Sequence, residues 1–210
     1  AVARRYAKSI GKKYEELNLI VVHLGGGISV GAHRKGLVID VNNALNGEGP
    51  ISPERAGTVP SEALATLCFS GKYTLNEVKK MLHGKAGLAA YLGTSDMITI
   101  EEKAIEGKEP YKTLVAAMDY TVAKEIGAMF VALKGQCDAI ILTGGIAYSD
   151  YCVADIKEQI EYLCKVVVLP GANEMVSLAE NAFGALTGEL PVLTYTGVSC
   201  AEEIPGMAEA

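Results

Sequence analysis

With 210 residues, 50% of them hydrophobic and 21% charged, the chain has the composition of a globular protein long enough for a complete core, which excludes disorder. A net charge of −6 argues against a nucleic-acid binder, which needs a basic face. No apolar run reaches the roughly 18 residues of a membrane span and no signal pattern opens the chain, so the expected setting is cytoplasmic and away from membranes.

Residues 1–14 read as helix with neither a start methionine nor a capping residue, as expected of a piece of a longer protein. Residues 19–23 form a short β-branched run that ends in Gly25-Gly26-Gly27. Runs at 28–33 and 37–41 follow, separated by Arg34-Lys35-Gly36, and connections this tight predict an antiparallel meander. Residues 42–60 are rich in Asn, Gly and Pro and read as loop, with Ser52-Pro53 starting a short helix that carries Arg55 in its first turn. A cation there opposes the helix dipole, which is a hint of function. Ser61 and Thr74 cap two helices, running to 69 and 82. Helical spacing of Val115, Met118, Val122, Ile126, Met129 and Leu133 predicts a helix over 113–134. Residues 139–142 read as a buried strand, followed by Thr143-Gly144-Gly145 and a helix bearing Val153, Ile156, Ile160 and Leu163. A strand at 165–169 and a helix capped by Asn173 and stopped by Gly188 complete the order, and the tail from 191 reads as loose. Strands separated by helices pair in parallel. The expected fold is therefore α/β: a mixed β-sheet with helices on both faces.

Several motif matches fail. Gly27 to Gly31 spells GxSxG, but strand continues after Ser29 where a nucleophile elbow needs a helix. GxGxxG breaks at Val30, and no Gly-Lys pair is followed by Ser or Thr. The three histidines lack HExxH spacing, and the five cysteines, none in CxxC, read as reduced thiols, mostly in the core. What stands is more open. Gly25, Gly26 and Gly27 make either a plain hairpin or a loop whose exposed N–H groups cradle a phosphate, with His23 beside it as donor or as a satisfied strand residue. The turn 143–146 is either a ligand site at a strand C-terminus or tight strand–helix packing. Arg55 is either a chelator of a transferring phosphoryl group or a solvated cation, and Glu174 either complements a helix N-terminus or holds Mg²⁺ through water.

Taken together, His23-Leu24-Gly25-Gly26-Gly27, Asp40-Val41-Asn42-Asn43, Gly47-Glu48-Gly49-Pro50 and Ser52-Pro53-Glu54-Arg55-Ala56-Gly57 closely resemble the butyrate kinases of the acetokinase family, on the actin-like ATPase superfold. Thr143-Gly144-Gly145-Ile146-Ala147-Tyr148-Ser149 resembles its adenosine motif, and Pro170-Gly171-Ala172-Asn173-Glu174 its C-terminal motif. The resemblance runs to about residue 190 and implies the C-terminal lobe of such a kinase over 1–190, with the N-terminal lobe absent. It implies reversible phosphorylation of a short-chain carboxylic acid by ATP, with Mg²⁺, in an enzyme that is a homo-oligomer at full length. It places the phosphate loop on His23 and Gly25 to Gly27, the active-site arginine on Arg55, the nucleoside contacts on Gly144, Gly145, Ile146, Ala147, Tyr148 and Ser149, and the Mg²⁺ carboxylate on Glu174. The family's Asp-x-Arg nucleotide segment falls on Asp96-Met97-Ile98, where the arginine is replaced. The lobe alone is expected to be inactive. A non-catalytic nucleotide sensor on the same fold is the alternative, which has no use for Arg55.

Overall fold

The β-branched run near the N-terminus forms β1 (Asn18–Leu24), which pairs antiparallel with β2 (Ile28–Arg34), as β2 does with β3 (Leu37–Val41). The two later runs form β4 (Ala139–Gly144) and β5 (Val166–Pro170), both parallel to β1, and the sheet order is β3-β2-β1-β4-β5. The computed structural model describes residues 1–171, 174–192 and 194, in two units, Ala1–Ala172 and Asn173–Ala210. The whole sheet belongs to the first.

Because side chains alternate along a strand, the sheet has two apolar faces. Ile20, Val22, Leu24, Val30, Ala32, Ile140 and Leu142 meet α5 (Met97–Ile105), α6 (Tyr111–Ala132) and α7 (Asp150–Ile160). Leu19, Ala139 and Ile141 meet Ala3, Tyr6 and Ala7 of α1 (Val2–Ser9). Covered on both sides, β4 is buried at every position, which is why it reads as one unbroken apolar run. The expected mixed α/β sheet with helices on both faces is what the chain forms.

Local chemistry sets the helix ends. Thr74 and Glu77 form a capping box at α3 (Leu75–Leu82), as foreseen for Thr74. Ser61 differs from expectation: it is the first helical residue of α2 (Ser61–Cys68), which Pro60 precedes without a side-chain cap. The expected helix start at 52–55 is not a helix. Ser52 Oγ does accept from Arg55 N (3.1 Å), as a cap would, but the carbonyls of Ser52 and Pro53 accept from Leu88 and Ala89 N instead of continuing a helix. Those amides belong to α4 (Gly87–Leu92), which the sequence pattern does not mark. The dipole argument for Arg55 therefore falls. In the second unit α8 spans Glu174–Thr187 and ends before Gly188, as expected. Asn173, the Glu174 side chain, Cys200 and the tail from 195 lie outside the described residues.

One polar residue interrupts the main core. Asp119 shares the inner face of α6 with Val115, Met118, Val122 and Ile126 and is 0% exposed. Burial, with the charge of Asp155 and a smaller effect of Glu101, pushes its carboxyl up to about 8, an effect the Cys152 thiol partly offsets. A folded pKa above the unfolded one means the native state holds the extra proton. This group's contribution to stability is then full below about pH 4 and is lost as pH rises toward 8, at up to about 1.4 kcal/mol per pH unit. Urea unfolding of the wild type and of Asp119→Asn should show that component of the pH slope only in the wild type.

Candidate functional site

Parallel pairing sets His23 of β1 opposite Thr143 of β4, so the chain leaves both strands at the same end of the sheet. There β1 turns through Gly25-Gly26-Gly27 into β2, and β4 turns through Gly145 and a single 3-10 turn, Ile146–Tyr148, into α7. A cavity of about 430 Å³ opens between them. Gly25 and Gly26 line one side, Gly145, Ile146, Tyr148 and Ser149 the other, and Pro53 with Ser95, Asp96, Met97, Ile98 and Glu101 close it. The feature is a strand C-terminus facing helix N-termini, the usual ligand position in α/β folds.

Buried Asn42 shapes the glycine hairpin. Its side chain accepts from Val30 N (2.7 Å) and donates to the carbonyls of Ile28 and Glu48 (3.1 Å each), tying the following loop to β2. The Gly26 carbonyl accepts from Ser52 Oγ (2.8 Å) and Glu54 N (3.0 Å), so the 52–55 segment clasps the hairpin. Three ionisable side chains crowd it. A Cβ at residue 25, 26 or 27 would sit 3.1 Å from His23 Nε2, 3.2 Å from Glu54 Oε2 or 3.0 Å from Arg55 Nη1. Arg55 Nη1 donates to Ala44 O (2.8 Å), while its buried Nε has no hydrogen-bond partner among the described residues. Ser95 Oγ donates to Glu54 Oε1 (3.3 Å), joining the hairpin side of the cavity to the α5 side.

The two glycines after β4 do different work. Gly144 has φ +95, and a Cβ there would overlap the backbone carbonyl of Leu24. Its carbonyl accepts from Gly171 N (2.9 Å), and Thr143 Oγ1 donates to Gly171 O (3.0 Å). Gly144 is thus the packing residue of the turn. Gly145 has φ −66 and nothing within 4 Å of a Cβ, so a side chain there would project freely at the cavity wall.

Of the residues singled out in the sequence, Gly25, Gly26, Asp96, Gly145, Ile146, Tyr148 and Ser149 line one cavity. His23, Gly27 and Arg55 stand beside it at the hairpin, Gly144 lies behind the wall, and Ala147 is buried in the main core. The Asp96 carboxylate caps α5, accepting from Thr99 Oγ1 (2.6 Å) and Ile98 N (3.3 Å), and the Thr99 hydroxyl above all holds it below the usual carboxylate range. Glu174 lies in the second unit and its side chain is outside the described residues. Ser95 and Glu101 were not foreseen in the wall, and only the neighbouring Asp96 motif pointed to that stretch; Pro53 enters it from the 52–55 motif. Among the described residues no group of three or more His, Cys, Asp or Glu is placed to hold a metal by itself. Glu54 does supply a hard oxygen donor at the hairpin, and Mg²⁺ needs only one or two carboxylates when phosphates complete its shell.

This mixed five-stranded sheet with helices on both faces is one lobe of the actin-like ATPase fold, as its solved structural neighbours show. The acetate kinase of Porphyromonas gingivalis has the same fold, with a TM-score of 0.77 at 22% identity over 87% of this chain and 52% of that one. The acetokinase family matches residues 1–180, and this chain belongs to it. It is 71% identical to the probable butyrate kinase of Phocaeicola vulgatus and 52% identical to butyrate kinase 1 of Clostridium acetobutylicum, each over 195 residues. Both matches cover 93% of this chain and 55% of the relative, so the chain spans about half the length of these curated relatives.

The two-glycine assignment predicts opposite responses to the same change. Gly144→Ala should lower urea-unfolding stability by at least about 2 kcal/mol, from left-handed strain and overlap with Leu24. Gly145→Ala should change it by no more than about 0.5 kcal/mol.

Proposed function

We propose that this chain is the nucleotide-binding lobe of a short-chain fatty-acid kinase that transfers a phosphoryl group reversibly between ATP and a carboxylate such as butyrate. Family membership and the butyrate kinase names of its relatives support the reaction class. The observation that carries the reading is the single cavity between a side-chain-free hairpin and a side-chain-free turn, since only backbone can approach phosphates and a nucleoside this closely.

In the transfer, a carboxylate oxygen forms a bond to the γ-phosphorus as the bond to the β–γ bridging oxygen breaks, and ADP leaves. Such catalysis is mostly positioning and charge stabilisation. The hairpin N–H groups and His23 hold the phosphates. Arg55, anchored through Ala44 and with its Nε unpartnered, neutralises charge that develops on the transferring group. Gly145, Ile146, Tyr148, Ser149 and Asp96 take the nucleoside. Mg²⁺, when bound, would neutralise the phosphate oxygens, with Glu174 as the carboxylate that the family resemblance assigns to it. The acid pocket and a second phosphate loop belong to the other lobe of the family fold, so this chain alone binds nucleotide without turning over.

Calorimetry with ADP tests the nucleoside assignment. Gly145→Val should weaken binding at least about tenfold by filling the wall, with circular dichroism unchanged, because the position has open space; equal binding removes Gly145 from the site. In a kinase carrying both lobes, Arg55→Ala should lower kcat by about 10³-fold or more in a hydroxamate assay, with a much smaller change in ADP affinity. Near-normal turnover would remove Arg55 from the mechanism.

A further inference from the structure

The cavity walls share a support that the reaction itself does not use. Helix α6 packs against both α5 and α7. The start of α5 brings Met97, Ile98 and Glu101 to the cavity, and Ser149, the cap of α7, forms the opposite wall. Asp119 lies in that seam. It is 0% exposed, and neither carboxyl oxygen has a well-formed hydrogen bond among the described residues, the Cys152 thiol being the weak donor beside it.

We propose that Asp119 is a positioning residue for the nucleotide wall: as a neutral acid it lets α5 and α7 close on α6, and as a carboxylate it forces the seam open. This rests on the reading of the cavity as a nucleotide site.

The groups facing Asp119 make the two states unequal. From α7 come Asp155, Cys152 and Tyr151; from α5 comes Glu101. The sheet face beneath α6 presents apolar Ile20, Val22, Val30 and Ala32. Every acid in this set repels an ionised Asp119, and no cation among them compensates it. The Cys152 thiol is itself pushed up by burial and by Asp119, so it remains a neutral neighbour. A buried carboxylate without a partner is costly enough that either the group keeps its proton or water enters. Water entry would separate the α7 start from α6. Cys152 N donates to Ser149 Oγ (3.0 Å), so movement at Cys152 is movement of the cavity wall. An anionic nucleotide next to the seam favours the protonated form further, so closure and charge act with the same sign.

Binding of nucleotide should therefore require Asp119 to be protonated. The test is calorimetric titration of the full 210-residue chain with ADP from pH 7 to 9.5, in buffers of different ionisation heat. Expected in the wild type is a loss of affinity of up to about tenfold between pH 7.5 and 9, with proton uptake on binding near pH 8. Asp119→Asn should bind with less than about twofold change over the same range. The proton count is read on the wild type alone, so the answer stands even where the variant does not fold. Absence of proton uptake, or the same pH profile in the variant, overturns the role of Asp119 while leaving the nucleotide site intact. Absence of ADP binding by the wild type at every pH overturns the nucleotide reading, and this proposal with it.

Discussion

The site depends on the parallel pairing of β1 with β4, and that pairing on one close approach of backbone to backbone. Gly144, in the left-handed region, presses against Leu24 at the point where β1 gives way to the glycine hairpin. Any side chain there would push the two strand ends apart. With none, the hairpin and the Gly145 turn face each other across a cavity of about 430 Å³. Gly171 then closes onto Gly144 and Thr143, so the end of β5 braces the same corner.

Around this corner the chain arranges charge sparingly. With a net charge of −6, the protein offers an anion backbone dipoles and few cations. The hairpin is bounded by His23 and Arg55 but also by Glu54, which is tied to Ser95 on the far side of the cavity. The 52–55 segment is an irregular clasp, held because its carbonyls receive the first amides of α4 and its own amides serve Gly26 and Ser52. Arg55 is directed by that clasp and by the Ala44 carbonyl, with no helix to point it.

Behind the cavity, α6 links the two walls. Its inner face is apolar but for Asp119, which makes no fold-level sense as a surface residue out of phase: it falls at a buried position of the same helical stripe as Val115, Met118 and Val122. Retaining a buried acid in that stripe costs stability above about pH 4, and the cost grows until its own proton is lost near pH 8, because the folded chain keeps a proton that the unfolded chain releases. Of the two helices whose acids bear on it, α5 carries cavity residues and α7 is capped by one, Ser149.

Much of this was legible from residue order. Period-two and unbroken apolar runs marked all five strands, because a strand buried on one or both faces must show them. The stripe on α6 marked its phase, and Gly25-Gly26-Gly27, Arg55 and the 143–149 turn stood out as candidates, each with a structural reading beside the functional one. The tertiary structure alone decided how these pieces combine. Ser52-Pro53 carries a helix signature, yet long-range hydrogen bonds from α4 take the carbonyls that a helix would need. Gly144 and Gly145 are adjacent and identical in sequence, but Leu24 abuts only one of them, so one packs against backbone and the other opens onto the cavity. Asp119 is one polar letter in a helical stripe, and nothing local tells whether it meets water or a core; only the placement of α5 and α7 over it buries it. Local propensity and periodicity are written along the chain, whereas contacts between residues 24 and 144, or 52 and 88, exist only once the sheet is assembled.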